Sequence, residues 1–225
     1  MGGAIATLFS HKYPTLVNRL ILLTPAGLPW PLPFGSSLLS IPYLGWVMFC
    51  LVTTFVLTLE KSIGENFFDI KYSQKSIKQQ LELRIKGGLT HYIDYMTNSV
   101  ANFPLTRCVK EATNVGKHSR PTLIVWGQYD TTTPSDVCFP QWHNLFKNNK
   151  DCTFVVVKDV RHNFFNEEVE LSNKVITSWI LGQDFNYNPI KHSNIGAIDI
   201  KLDERDIEIK RFWNENEHLF GTYMI

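Results

Sequence analysis

The sequence has few cysteines, a low net charge and no visible set of metal ligands. Only four of its 225 residues are cysteines, and none stands in a C-x-x-C pair or at ligand spacing from a histidine. This usage argues against a metal site and provides no disulfide framework, so we expect neither a metal nor another cofactor. The formal net charge is +1, and the composition therefore gives no reason to expect a nucleic acid or an acidic partner.

Charge is also missing from a long internal segment. No Asp, Glu, Lys or Arg occurs between Leu20 and Leu59, and the last part of this stretch, residues 41–59, is strongly apolar. A run of that length reaches the size of a transmembrane helix, although Pro42 and Gly45 interrupt its start. A membrane span, a helix that lies over a site or on a membrane surface, and an ordinary core helix are the alternatives for this segment.

What is present is a series of short apolar runs separated by segments with helical spacing. The runs are Leu20–Thr24, residues 121–127 and residues 153–158. Their length and composition are typical of strands that are buried on both faces of a parallel sheet. The segments with helical spacing are residues 2–13, 136–147 and 166–181. This alternation of strand and helix predicts an α/β fold.

Two further regions lack these runs. Residues 60–118 regain charge and favour several solvated helices. Residues 183–225 are rich in Asn and charge, and they contain two alternating stretches, Ile198–Leu202 and Ile207–Lys210. Such alternation predicts one or two strands or a loosely attached segment, and we find no catalytic pattern there.

The first residues, Met1-Gly2-Gly3-Ala4, resemble the second half of a nucleophile elbow. In α/β-hydrolases this motif is Gly-x-Ser-x-Gly, a sharp turn from a strand into a helix. Met1 would then follow the serine and Gly2 would be the closing glycine. We expect a side chain at Gly2 or Gly3 to clash, because strand and helix approach closely there. The stretch from Tyr13 to Leu22 is similar to the segment that follows the elbow in the same family.

Two later residues continue the resemblance. Asp130 lies in the phrase Pro-x-Leu-x-x-x-Gly-x-x-Asp-x-x-x-Pro, which is similar to the acid-bearing strand and loop of α/β-hydrolases. His162 lies after the third strand and before the last predicted helix, where the family carries its general base. The order of elbow, Asp130 and His162 is the family's order. The alternatives are a turn or N-cap role for Asp130 and a surface role for His162.

The resemblance covers roughly residues 1–182 and implies a partial α/β-hydrolase fold. Such a fold would consist of the C-terminal strands of a mostly parallel sheet, flanking helices and an inserted helical cap. Residues 1–28 and 119–182 would form the core, residues 29–118 the cap, and residues 183–225 a C-terminal extension.

The implied activity is that of a serine hydrolase. Asp130 and His162 would activate the serine, and the backbone N–H of Met1 would donate to the oxyanion. The serine itself would precede Met1, so we expect either part of a working enzyme or a degenerate chain without activity. Trp46 and Phe49 of the apolar cap favour an ester or lipid substrate with an apolar acyl group, of the lipase or esterase kind.

Other functions stay open at this point. The segment Pro25–Leu28 resembles carbon–carbon bond hydrolases of the same fold, and epoxide hydrolases and dehalogenases use an aspartate in place of the serine. Outside enzymes, the alternative is a non-catalytic, truncated hydrolase-like protein or a membrane-associated binding protein. A membrane surface is thus a further candidate partner, and a cytoplasmic or membrane-associated location is expected.

Overall fold

A computed structural model of the chain describes residues 2–28, 120–183 and 203–225, together with four single residues: Val47, Lys78, Gln79 and Glu82. The described segments form a parallel four-stranded sheet with helices on both of its faces.

The strands of the described segments are β1 (Leu20–Leu23), β2 (Thr122–Gly127), β3 (Cys152–Val157) and β4 (Tyr223–Met224). Their helices are α1 (Gly2–Lys12), α2 (Ser135–Phe146), α3 (Phe164–Glu167), α4 (Val169–Leu181) and α5 (Glu204–Asn216). Short 3-10 turns lie at Pro14–Leu16 and Glu217–Leu219.

The sheet runs in the order β1-β2-β3-β4, with every pair parallel. Its register aligns Leu22 with Ile124, and Val155 with both Val125 and Tyr223. All residues of β2 are buried, as its uninterrupted apolar sequence predicts for a central strand. Because the strands are parallel, their carboxyl ends all lie at the same end of the sheet, which is called its carboxyl edge below. The segments that follow β1, β2 and β3 meet there.

The core lies on both faces of this sheet. Alternate residues of a strand point to opposite faces, so Ile124 and Trp126 join an aromatic cluster with residues of α2 and α5. Phe139 of α2 lies at the middle of that cluster and contacts Trp126 edge to face, with ring centroids 6.0 Å apart. Leu123 and Val125 face the other way and pack with residues of α3 and α4.

The three strands predicted from apolar runs are confirmed as β1, β2 and β3. The helix predicted over residues 166–181 begins earlier, at Phe164, and is interrupted at Glu168. Glu168 has φ −114° and ψ 59°, which is not helical, so the segment forms α3 and α4 instead of one helix.

The C-terminal region corrects a prediction. The alternation at Ile207–Lys210 predicted a strand, but these residues lie inside α5. The helix begins with a capping box: the Asp203 side chain accepts from the Asp206 N–H at 2.8 Å, and the Asp206 side chain accepts from the Asp203 N–H at 3.2 Å. This reciprocal pair satisfies two backbone donors at the start of the helix, which favours a helix over a strand.

Burial along α5 supplies the second reason. Ile209 and Trp213, four positions apart, are 0% and 1% exposed, so the buried face has the period of a helix. The chain then returns to the sheet as β4. Residues 203–225 therefore belong to the core of the sheet and are not loosely attached. The other alternating stretch, Ile198–Leu202, lies outside the described residues.

Most of the predicted cap also lies outside the described residues. Within its apolar segment, residues 41–59, only Val47 is described; it is helical and 46% exposed. No helix of the described segments is both long enough and apolar enough to cross a bilayer.

Candidate active site

The acid candidate lies just past the carboxyl end of β2. Asp130 is completely buried, at 0% exposure. One carboxylate oxygen accepts from the backbone N–H groups of Thr132 and Thr133, each at 2.9 Å. The other accepts from the Thr133 hydroxyl at 2.8 Å. Three donors thus fix the plane of the carboxylate, and they satisfy a group that burial would otherwise penalise.

The base candidate faces this carboxylate. His162 Nδ1 lies 2.8 Å from Asp130 Oδ2, and the His162 side chain is 24% exposed. An ionised carboxylate can only accept, so Nδ1 carries the proton and donates to it. Nε2 is then left as an acceptor, the form that a general base needs. The Thr133 hydroxyl is 3.5 Å from Nδ1, farther than from Asp130.

The loop of Asp130, residues 128–134, is called the acid loop, and the loop of His162, residues 158–163, the base loop. The two loops meet because β2 ends in glycine. A Cβ atom added at Gly127 would overlap the carbonyl oxygen of Arg161 and lie 3.0 Å from its carbonyl carbon. Backbone bonds continue the contact: Gln128 N–H donates to Val157 O and Tyr129 N–H donates to Val160 O, both at 2.9 Å. The base loop therefore contacts the end of β2 at Arg161, the residue directly before His162.

The base loop itself turns sharply after β3. Asp159 has φ 56°, in the left-handed region that aspartate tolerates better than most residues. Its N–H donates to the Gln128 side-chain oxygen at 3.2 Å. This turn returns the chain toward β2 and so toward the acid loop.

The predicted elbow residues pack beside the loop after β1. A Cβ atom at Gly3 would lie 2.6 Å from Pro25 Cβ, and one at Gly27, where φ is 132°, would lie 2.5 Å from Ala4 Cβ. The start of α1 thus approaches the carboxyl edge of the sheet as closely as an elbow helix requires. At Gly2 no described atom lies within 4 Å of an added Cβ. Among the described residues, the steric requirement falls on Gly3.

Three predicted site residues lie outside the described segments: Met1, Trp46 and Phe49. The structure brings together Asp130 and His162, and it places the Gly3 end of α1 at the same edge of the sheet. The role of Thr133 is not among the sequence predictions, although an Asp followed by threonines is typical of side-chain-to-backbone bonds of this kind. The close approach at Gly127 is likewise not among them.

Other nucleophiles in the described segments are poorly suited to the chemistry. Burial raises the pKa of Cys138 and of Cys152 to about 12 each, so both thiols stay protonated at neutral pH. Ser135 is 0% exposed, and its hydroxyl donates to Gln128 O at 2.6 Å. Ser10 is equally buried and donates to Thr7 O at 2.8 Å. None of these groups is available to attack a substrate.

Tyr129 is likewise unsuited to act as a base. It is 2% exposed, and burial, followed by the nearby Asp159 and Asp206, raises its pKa to about 12. Among the described residues, no group of three or more His, Cys, Asp or Glu side chains is arranged to hold a metal ion.

Neither a protein-family model nor a curated protein matches the chain. Solved structures do match it. A 2-hydroxy-6-oxo-6-phenylhexa-2,4-dienoate hydrolase from Rhodococcus sp. strain RHA1 has a TM-score of 0.59 at 16% identity, over 80% of this chain and 61% of its own. A serine hydrolase from Cycloclasticus zankles has a TM-score of 0.58 at 16% identity, over 81% and 62%. The chain has an α/β-hydrolase fold.

A thermophilic esterase from Thermogutta terrifontis is also similar, with a TM-score of 0.55 at 18% identity, over 80% of this chain and 62% of its own. The chain spans about three fifths of the length of these α/β-hydrolase structures. The predicted partial α/β-hydrolase fold, with its parallel strands and flanking helices, is confirmed.

Proposed function

We propose that this chain carries the acid and the base of a serine hydrolase that cleaves carboxylic esters. The observation that carries the proposal is the 2.8 Å contact between His162 Nδ1 and Asp130 Oδ2 at the carboxyl edge of the sheet. That edge is where open α/β sheets bind ligands. In this proposal residues 1–28 and 119–182 supply the core and residues 29–118 the cap.

The proposed chemistry begins with a serine placed directly before Met1 in the elbow. Its oxygen attacks the ester carbonyl carbon while His162 Nε2 takes its proton. The alkoxide then leaves with that proton, and an acyl-enzyme remains. Water attacks the acyl-enzyme, His162 takes and returns its proton in the same way, and the acid product and free serine result.

Asp130 stays ionised throughout this cycle. It holds the His162 tautomer and stabilises the imidazolium that forms when Nε2 accepts a proton. The backbone N–H of Met1 is the proposed oxyanion donor, since it follows the serine in the elbow. Removal of one such donor reduces rates by about 10²–10³.

The substrate proposal rests on sequence. Trp46, Phe49 and the rest of residues 41–59 favour an apolar acyl group, and the same composition favours contact with a membrane surface. The test is flotation of the 225-residue chain with phosphatidylcholine liposomes. Trp46→Asp together with Phe49→Asp should reduce binding, whereas Phe165→Asp, on the exposed side of α3, should not. Equal binding by the double variant would contradict the membrane contact.

A second candidate is hydrolysis of a carbon–carbon bond. Pro25–Leu28 resembles such enzymes, and the similar Rhodococcus structure is a hydrolase of 2-hydroxy-6-oxo-6-phenylhexa-2,4-dienoate. The loop that contains Pro25 packs against Gly3 and would therefore border the nucleophile. Comparison of p-nitrophenyl butyrate with that dienoate as substrates separates the two functions.

The activity test uses the chain extended by its own upstream coding sequence through an in-frame Gly-x-Ser. This protein should hydrolyse p-nitrophenyl butyrate and react with a fluorophosphonate probe at the serine. His162→Ala should lower kcat by several orders of magnitude, whereas His218→Ala, at an exposed position, should leave it unchanged. Absence of an in-frame serine codon, or an active His162→Ala variant, would contradict the proposal.

A further inference from the structure

Helix α5 contacts the start of the helix that follows the acid loop. The Arg205 guanidinium donates to both carboxylate oxygens of Asp136, at 2.6 and 2.8 Å. Trp213 Nε1–H donates to the Ser135 hydroxyl at 3.1 Å, and that hydroxyl in turn donates to Gln128 O at 2.6 Å. The beginning of α2 is thus tied to α5 directly after the loop of Asp130.

The same helix reaches the base loop through Asp206. The Arg161 guanidinium donates to Asp206 Oδ2 at 2.6 Å, and the two side chains are 13% and 1% exposed. Arg161 directly precedes His162, and its carbonyl group lies on Gly127. Arg161 is therefore fixed at both ends, by α5 at its side chain and by β2 at its backbone. The backbone of His162, the next residue, therefore has little conformational freedom.

Strand β4 holds the other end of the base loop. Lys158 N–H donates to Ile225 O at 2.8 Å, and Ile225 N–H donates to Val156 O at 3.0 Å. The loop between Lys158 and His162 is therefore held at its start by β4 and near its end by Asp206. Both contacts come from residues 203–225.

A buried ion pair is by itself weak evidence for a gain in stability. Burial raises the pKa of Asp206 above its ordinary value, and the charge of Arg161 offsets only part of that effect. Replacement of a buried ion pair by apolar groups is often neutral or stabilising, because desolvation offsets the attraction. The geometry of the pair is thus better explained by the orientation it imposes than by a gain in folding free energy.

We propose that Asp206 is a positioning residue for His162. Through Arg161 it holds the imidazole in the orientation in which Nδ1 donates to Asp130. The inference rests on the proposed function for the importance of that orientation in catalysis, whereas the orientation itself can be measured in the 225-residue chain without any activity.

The measurement is the ¹H NMR signal of the His162 Nδ1–H proton in protein labelled with ¹⁵N-histidine. A proton held in a bond to Asp130 is shielded from exchange and gives a downfield signal, which His162→Gln assigns by its loss. Asp206→Asn removes the negative charge that pairs with Arg161 at nearly constant shape; the same oxygen, Oδ2, also accepts from the Asp203 N–H in the capping box. We expect this variant to lose the signal through exchange with water.

Glu208→Gln is the matched control. It makes the same chemical change in the same helix, and its carboxylate pairs with Arg205 at 2.9 Å instead of with Arg161. The signal should persist in this variant. Near-UV circular dichroism checks that each variant is folded. If Asp206→Asn does not fold, the test uses Arg161→Met and Arg161→Lys. We expect Arg161→Met to lose the His162 Nδ1–H signal, and Arg161→Lys to retain it at a shifted position.

A retained, unshifted Nδ1–H signal in folded Asp206→Asn, or in folded Arg161→Met, would overturn the positioning role. In the extended enzyme, Asp206→Asn should lower kcat about 10- to 100-fold at unchanged KM, the effect of a small misplacement of a catalytic group. The two proposals can fail separately. If the extended enzyme hydrolyses no ester, the proposed function is contradicted. If the unmutated chain still shows the Nδ1–H signal and Asp206→Asn loses it, the positioning role is retained.

Discussion

The two loops that meet at the candidate site are held in different ways. In the acid loop the candidate catalytic carboxylate is held by its own neighbours: Asp130 accepts from Thr132 and Thr133, two and three positions along the chain. The base loop is held by distant residues. Its Arg161 pairs with Asp206, 45 positions away, and its backbone lies on Gly127 at the end of another strand.

This difference decides how each half of the site responds to change. A carboxylate whose donors are its own neighbours keeps its orientation as long as those few residues are intact. A loop held by remote contacts depends on the packing of every element that supplies them. The base loop should therefore be the sensitive half of the site, and residues 203–225 should control it.

The largest expected effect is that of Trp213→Ala. Trp213 is 1% exposed and contacts Phe139 edge to face, with ring centroids 5.0 Å apart. Its removal leaves a cavity that cannot fully collapse, so the free energy of unfolding should fall by about 3–5 kcal/mol. Urea denaturation measures this change. Leu219→Ala, at a residue 60% exposed, is the control and should change stability by less than about 0.5 kcal/mol. Equal effects would mean that α5 is not part of the core.

The next effect is that of Gly127→Ala. Its added methyl group meets backbone atoms of Arg161, which cannot rotate away as a side chain could. We expect a loss of about 2–3 kcal/mol in the free energy of unfolding, typical of overpacking, together with loss of the His162 Nδ1–H signal. Gly2→Ala makes the same change where no described atom lies within 4 Å, and it should be nearly neutral. An intact signal in Gly127→Ala would show that the base loop tolerates displacement.

Thr133→Val tests the acid loop. The change keeps the shape of the side chain but removes the hydroxyl that donates to Asp130 Oδ2 at 2.8 Å. The carboxylate retains two backbone donors and His162, so the loss should be only about 1–2 kcal/mol. Thr131→Val is the control within the same loop. If Thr133→Val lowered the free energy of unfolding more than Gly127→Ala does, the acid loop would be the more sensitive half of the site.

The same contrast explains what could be predicted from sequence. Strands β1 to β3 and the position of Asp130 depend on residues close together in the chain, so local patterns predict them, although not the bonds that Thr133 makes. The contact of Asp130 with His162 followed from the parallel order of strands and from the family resemblance. The prediction for the residues of α5 is wrong, because four alternating residues at Ile207–Lys210 fit a strand as well as a helix. Its link to Arg161 depends on tertiary packing, for which one sequence carries no signal.

The smallest expected effect is a pH dependence that reports on the packing of the C-terminal region. His143 of α2 lies between Phe154 of β3 and Phe220, with ring centroids 4.9 and 5.2 Å away. Burial lowers the pKa of His143 from its ordinary value of 6.5, an effect that a backbone hydrogen bond to Phe220 partly opposes. The folded protein therefore resists a proton that the unfolded chain accepts.

Well above pH 6.5, the ordinary value, His143 is neutral in both states and contributes no pH dependence. As the pH falls below that value, the unfolded chain is protonated first, so the free energy of unfolding decreases until the pH passes the lowered pKa of the folded state. His143→Phe should remove this part of the slope in urea titrations between about pH 7 and 5. His218→Gln, in the exposed turn after α5, should retain it. If the free energy of unfolding of His143→Phe kept the same dependence on pH, His143 would be solvent-exposed and not buried by the C-terminal region.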